Sequence, residues 1–422
     1  MNGPQPFGDD RDWFFARRFG LFVHWGLYAL HAWHEQEQFR YPVPRGEYAH
    51  LREQFNPVDF NPDQWLDLAQ AAGMSYLTFT TKHIDGFCLF DSAHTDYKVT
   101  NTPYGRDVLA MLAEACHRRD MALCLYYSIA DMHHPNYPNA GRSYELPAPE
   151  PGDEPDQDKY LAYVEAQVRE LCTNYGPIHG FWWDANMLGY HDPRFRELIR
   201  SLQPAAVING RGFDGVWPAD EPGDFNTPER DYAGADAGEE LLAYTRPTGA
   251  CQAVGTQSWG YRAEEDYYAD AYLIRSLAKV LAKGGNYLLN LGPMANGCFP
   301  EEAVRMLSVI GRWFQAVREA FEGTVPASHL TSNRQVLLTR RGNTLYVVMH
   351  QPPVSTAVVL APLRRTPVRA TLLNTGEPVA TRVDRLPERY LDPAPCLRLY
   401  NLPVNRYPDT ALVAKLEFEG EP

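Results

Sequence analysis

Residues 158–185 read DKYLAYVEAQVRELCTNYGPIHGFWWDA. In the first part, Leu161, Val164, Val168 and Leu171 recur at three- and four-residue spacing, which predicts an amphipathic helix. In the last part, Phe181, Trp182 and Trp183 form an unbroken apolar run of strand character that stops on Asp184. A strand of this kind buries its apolar residues and lets the terminal carboxylate emerge at its end.

The same alternation extends in both directions, up to about residue 322. Strand-like runs begin LFVHWG (21), SYLTFTTKH (75), ALCLYYS (122), GFWWDA (180), AVING (206), GDFNT (223), VGTQSW (254) and NYLLNLG (286). Helical patterns such as PDQWLDLAQAAG, DVLAMLAEACHRR and EEAVRMLSVIGRWFQAVREAF lie between or after them. Eight strands alternating with helices predict an α/β fold, a (β/α)8-type barrel. A doubly wound sheet would alternate in the same way, but no glycine-rich phosphate loop follows the first strand. His24, Lys82, His83, Tyr126, Tyr127, Asp184, Asn209, Arg211 and Trp259 stand at or near strand ends. In a parallel barrel those ends open onto one face, where active sites are built.

After residue 325 the pattern changes to short runs with turn signals, such as VLLTRRGNTLYVVM with Gly342-Asn343 at its turn. The expected division is a barrel domain over 1–323 and an antiparallel β-sandwich over 324–422. Residues 135–158, rich in Pro, Gly and acidic side chains, are expected to form a long loop on the catalytic face.

Composition narrows the function. The 53 acidic residues exceed the 39 basic ones, and no Lys/Arg run is present to follow a phosphate backbone, so nucleic acid is not an expected partner. No segment approaches transmembrane length and the first twenty residues carry no signal-peptide pattern, so a cytoplasmic location and no membrane partner are expected. The 7 cysteines include no CxxC pair and read as reduced thiols. The histidine pair His133-His134 lacks metal-ligand spacing, so no metal is expected there, only a substrate-loop contact or surface exposure.

Taken together, FGLFVHWGLY (19–28), FTTKHIDGFCLFDS (79–92), YYS (126–128), GFWWDA (180–185), INGRG (208–212), GDFNTPE (223–229), SWGY (258–261) and GGNYLLNLGP (284–293) resemble the α-L-fucosidases of glycoside hydrolase family 29. The resemblance implies a barrel followed by a β-sandwich, a retaining mechanism without metal or other cofactor, and removal of terminal α-L-fucose from a fucosylated oligosaccharide or related glycoside. It also implies Asp184 as nucleophile and, by its distance beyond it, Glu229 as general acid/base. A glutamate that relatives carry shortly before SWGY is missing from RPTGACQAVGTQSWGY, which removes one competitor for that role.

His24, His83, Tyr127 and Arg211 match the family's sugar-binding positions, and Trp182 and Trp259 are candidates for packing on the sugar. Glu35 and Glu37, in HEQEQFR, are candidates for a sugar contact or for the acid, or are solvated loop charges. The chain departs from its relatives at Ile84, where a second histidine is usual, and around Gln36 and Gln38. Two further readings therefore stand beside the fucosidase: the same mechanism on another sugar, such as an α-L-galactoside, and a carbohydrate-binding protein without turnover.

Overall fold

The computed structural model describes residues 3–212, 223–230, 243–387, 391 and 394–422. Seven parallel strands, β1 (Phe19–Val23), β2 (Tyr76–Lys82), β3 (Ala122–Ser128), β4 (Gly180–Asp184), β5 (Val207–Ile208), β6 (Gly249–Ala253) and β7 (Asn286–Leu291), form one curled sheet in the order β5-β4-β3-β2-β1-β7-β6. The gap between β5 and β6 is spanned by residues 225–229. This segment makes single parallel bridges, Asn209 to Phe225 on one side, and Asn226 to Thr248 and Glu229 to Cys251 on the other.

The expected GDFNT strand therefore occupies the eighth position of the ring without forming a regular ladder. Its backbone runs so close to its neighbour that a Cβ on Gly223 would lie 2.3 Å from Gly210 N. The run expected at VGTQSW corrects to Gly249–Ala253, because these small residues hold register with β7 from Gly249–Asn286 to Ala253–Asn290. Gly249 also leaves room for the Phe225 ring, 3.2 Å from where its Cβ would stand.

Helices α1 (Pro62–Ala71), α2 (Val108–Arg118), α3 (Gln157–Asn174), α4 (Arg194–Leu202), α5 (Asp270–Ala282) and α6 (Glu301–Val317) accompany the strands. Their starts are chemically marked. Asn61, Asp107 and Asp156 each accept a backbone N–H of the first turn of α1, α2 and α3, a cap worth about 1 kcal/mol. Inside the ring, Phe14, Phe22, Tyr76, Cys124, Trp182, Phe225 and Leu288 pack together, so the barrel is a core closed at one end. No helix among the described residues is long and apolar enough to cross a membrane.

The C-terminal strands are antiparallel. β8 (Val325–Pro326), β9 (Leu337–Arg341), β10 (Thr344–Met349), β12 (Arg369–Leu372) and β15 (Leu412–Glu417) make one sheet; β11 (Val358–Leu360), β13 (Ala380–Asp384) and β14 (Cys396–Tyr400) make the other. Alternation decides what each face buries. Leu338, Val347 and Ala414 point between the sheets toward Leu360, Leu397 and Leu399, whereas their neighbours Leu337, Tyr346, Val348 and Val413 join the core of the barrel. The result is a sandwich with one sheet pressed against the barrel, fastened by Trp313 of α6, whose Nε1 donates to Ala411 O at 2.8 Å.

Candidate active site

A cavity of about 670 Å³ opens where the strands end. Its wall includes His24, Glu35, His83, Trp182, Asp184, Arg211, Glu229 and Trp259. Eight of the ten residues selected from sequence are thus brought to one place from six segments of chain.

Asp184 is the last residue of β4, and two donors hold its carboxylate. Tyr126 donates its hydroxyl to Oδ2 at 2.8 Å, and Arg211 donates Nη1 to Oδ1 at 3.2 Å. The same Nη1 reaches Glu229 Oε1. One guanidinium nitrogen therefore bridges both carboxylates, and their nearest oxygens lie within about 6 Å of each other. Arg211 is itself fixed by Nε donating to Thr227 Oγ1 at 2.8 Å, by Nη2 donating to Thr227 O at 2.7 Å, and by the Trp182 ring, whose centroid lies 4.7 Å from it. Arg230, although next to Glu229 in sequence, turns away and donates to Gly255 O and Thr256 O.

The residues that follow each carboxylate, Ala185 and Arg230, have φ of +54°. This left-handed backbone is unfavourable for a residue with a Cβ and recurs at functional sites.

Glu35 forms the deep end. Its Oε2 accepts from the Ser258 hydroxyl at 2.7 Å and from the backbone N–H of Trp259 at 2.9 Å and Gly260 at 3.1 Å, leaving Oε1 without a protein partner. Burial alone would raise its pKa, but His34, His83, His24 and the Ser258 hydrogen bond hold it down at about 2. Beside it, Asn290 donates Nδ2 to Trp259 O, so the Asn290 oxygen accepts from His24 Nδ1 at 2.6 Å. In the neutral ring that leaves Nε2 as an acceptor. Burial draws the pKa of His24 down, and burial together with the charge of His24 draws His83 down to about 4. His83 Nδ1 and Trp182 Nε1 are also buried without a protein partner. Cavity-lining polar atoms left in this state match a ligand that is rich in hydroxyls.

Two of the ten residues do not reach the cavity. Tyr127 faces out of the barrel because side chains alternate along β3. Its hydroxyl donates to Gln167 Oε1 on α3 at 2.6 Å, and Lys82 Nζ sits 4.4 Å from its ring centroid. The residue that does face inward is Tyr126. Parity shows this: Tyr126 pairs with Trp182 and Ser128 with Asp184 across β3 and β4. Glu37 begins the single helical turn Glu37–Arg40, which carries it outward to His31, 2.8 Å away. Lys82 is likewise outside the ring, in a buried pair with Asp131 at 2.9 Å.

His133 and His134 correct as well. His133 stacks on Tyr97 with centroids 3.7 Å apart, and His134 packs on Tyr163 at 4.2 Å, so both serve the packing behind the site. Among the described residues no group of three or more His, Cys, Asp or Glu side chains is placed to hold a metal ion. Tyr126, read from sequence only as a strand-end residue, lines the cavity, as do Tyr144, Met187 and His191, which escaped the sequence reading.

A parallel barrel with carboxylates, a shared guanidinium and aromatic side chains around one strand-end cavity defines a glycoside hydrolase. The family model for alpha-L-fucosidase matches residues 9–319, and the chain belongs to that family. It is similar to tissue alpha-L-fucosidase of Homo sapiens, 25% identical over 396 residues that cover 86% of this chain and 80% of the relative. Among solved structures, alpha-L-fucosidase isoenzyme 1 from Paenibacillus thiaminolyticus superposes with a TM-score of 0.83 at 34% identity, covering 97% of this chain and 100% of the other. A family 29 alpha-L-fucosidase from Bacteroides thetaiotaomicron, solved as a trapped covalent intermediate, superposes with a TM-score of 0.81 at 25% identity, covering 99% and 97%.

Proposed function

We propose that this chain is a retaining exo-α-L-fucosidase in which Asp184 is the nucleophile and Glu229 the general acid/base. The observation that carries the reading is the single Arg211 nitrogen shared by the two carboxylates, which keeps their nearest oxygens within about 6 Å of each other, a range that includes the separation of roughly 5–5.5 Å used in double displacement. Asp184 attacks C1 while Glu229 gives a proton to the departing oxygen. The ionised Glu229 then takes a proton from water, which hydrolyses the glycosyl ester.

Arg211 occupies Glu229 Oε1, and we place the transferred proton on Oε2. Glu35 is set aside as the acid because three donors and the neighbouring histidines keep it ionised. Its role in this reading is to accept a sugar hydroxyl. The solved relative trapped as a covalent intermediate supports the two-step course.

The test is a panel of 4-nitrophenyl glycosides. Hydrolysis of the α-L-fucoside, its loss in Asp184→Gly, and azide rescue giving the inverted fucosyl azide are the expected results. Hydrolysis of the α-L-galactoside alone would replace the sugar. Turnover unchanged in Asp184→Gly would remove the mechanism.

A further inference from the structure

The cavity is large enough for a drug-sized ligand, more than one pyranose ring fills. Besides the polar groups Glu35, His24 and His83, its wall contains a surface of different character made by Tyr144 and Met187. This wall is built with some care. Tyr144 lies in the irregular segment after β3 and has φ of +63°, a conformation that costs an aromatic residue energy and persists only when its surroundings impose it.

What imposes it is Arg142. Its Nε donates to the fully buried Glu145 at 2.8 Å, its Nη2 to Pro138 O at 3.0 Å, and its Nη1 across to Met187 O at 2.8 Å. Tyr137 donates to the other Glu145 oxygen at 2.7 Å. The loop holding Tyr144 and the loop after β4 are thus stitched into one wall. Phe39 braces the Tyr144 ring edge-on, with centroids 5.7 Å apart. Burial raises the Tyr144 pKa first, and the charges of Asp184 and Glu229, which line the same cavity, add to it.

We infer that Tyr144 and Met187 form the leaving-group subsite, which takes a neutral ring, a second sugar or an aryl group, stacked on Tyr144. The inference rests on the fucosidase reading and adds the class of aglycone. Neutrality follows from the charges around the cavity: with Glu229 carrying the proton it transfers, Asp184 and Glu35 against Arg211 still leave an excess of negative charge, which repels an anionic leaving group.

The experiment compares α-L-fucosyl fluoride, which has no ring to stack, with 4-nitrophenyl α-L-fucoside. Both leaving groups depart with little help from an acid. Tyr144→Gly suits the positive φ and so keeps the backbone; Tyr144→Phe keeps the ring. The expected result is a loss in Tyr144→Gly of about fivefold to tenfold in kcat/KM on the nitrophenyl substrate, carried mostly by KM. The fluoride rate should be unchanged, and Tyr144→Phe should behave as wild type on both. Equal losses on the two substrates, or none on the nitrophenyl fucoside, would overturn the subsite while leaving the fucosidase standing. A wild-type enzyme inert toward both substrates would overturn the fucosidase reading itself.

Discussion

Arg211 donates to Asp184 at 3.2 Å through the nitrogen that also reaches Glu229, so the charges of the proposed nucleophile and acid are read by one side chain. When Asp184 becomes an ester, that nitrogen is left with Glu229 alone.

Arg211→Lys should therefore cost more than its conserved charge suggests. An ammonium cannot hold Thr227 with two nitrogens and bridge two carboxylates with a third contact. The expected outcome is a fall in kcat of about 100-fold on 4-nitrophenyl α-L-fucoside, with a smaller change in KM. Steady-state kinetics with a melting curve as folding control checks it, and a near-wild-type kcat would speak against the shared-nitrogen geometry.

Tyr126 and Tyr127 offer an internal contrast. Tyr126→Phe removes the hydrogen bond to Asp184 and should lower kcat about tenfold. Tyr127→Phe leaves Gln167 without its donor and should lower stability by about 1 kcal/mol with kinetics intact. Chemical denaturation and initial rates on the two variants give the answer; a reversed pattern would mean that the inward face of β3 has been misassigned.

Glu35 links the site to pH. Its pKa is about 2 in the folded chain against 4.5 for the ordinary side chain, so its ionisation contributes stability that is fully present above pH 4.5 and disappears as pH falls toward 2. The stability gap between wild type and Glu35→Gln should be constant above about pH 5 and narrow below it. Thermal melts from pH 7 to pH 3 measure this. A gap that widens in acid would show that Glu35 is not held ionised.

His83 acts over a higher window. Burial lowers its pKa from 6.5 to about 4, so the unfolded chain binds a proton before the folded one does, and stability falls as pH drops from about 6.5 to 4. The slope reaches at most about 1.4 kcal/mol per pH unit from this one group. His83→Gln should flatten the pH dependence in that interval, and an unaltered slope would place the proton elsewhere.

The barrel was legible because apolar runs such as FWW and YLLNL are long enough to reveal strands, and because their polar ends fall on one face. Asp184 was legible for the same reason. What the sequence could not distinguish were neighbours of like chemistry. Tyr126 and Tyr127 differ only in parity, which becomes visible once Asp184 is known to face inward and the strands are placed in register. Glu35 and Glu37 are separated by the onset of a helical turn that no local pattern announces. The strand at Gly249–Ala253 was displaced to VGTQSW because GACQA has little β character of its own and is a strand through its neighbours. Tyr144 was out of reach, since it is held by contacts between two irregular loops.

The ring closes through ladders everywhere except at residues 225–229, which hang on their neighbours by isolated bridges. That seam is where Glu229 stands. In the proposed cycle one group must serve first the departing alcohol and then the arriving water, while the nucleophile must stay still. The two carboxylates are tied in differently: Asp184 belongs to the β3–β4 ladder through Ser128, whereas Glu229 is joined to Cys251 by an isolated bridge.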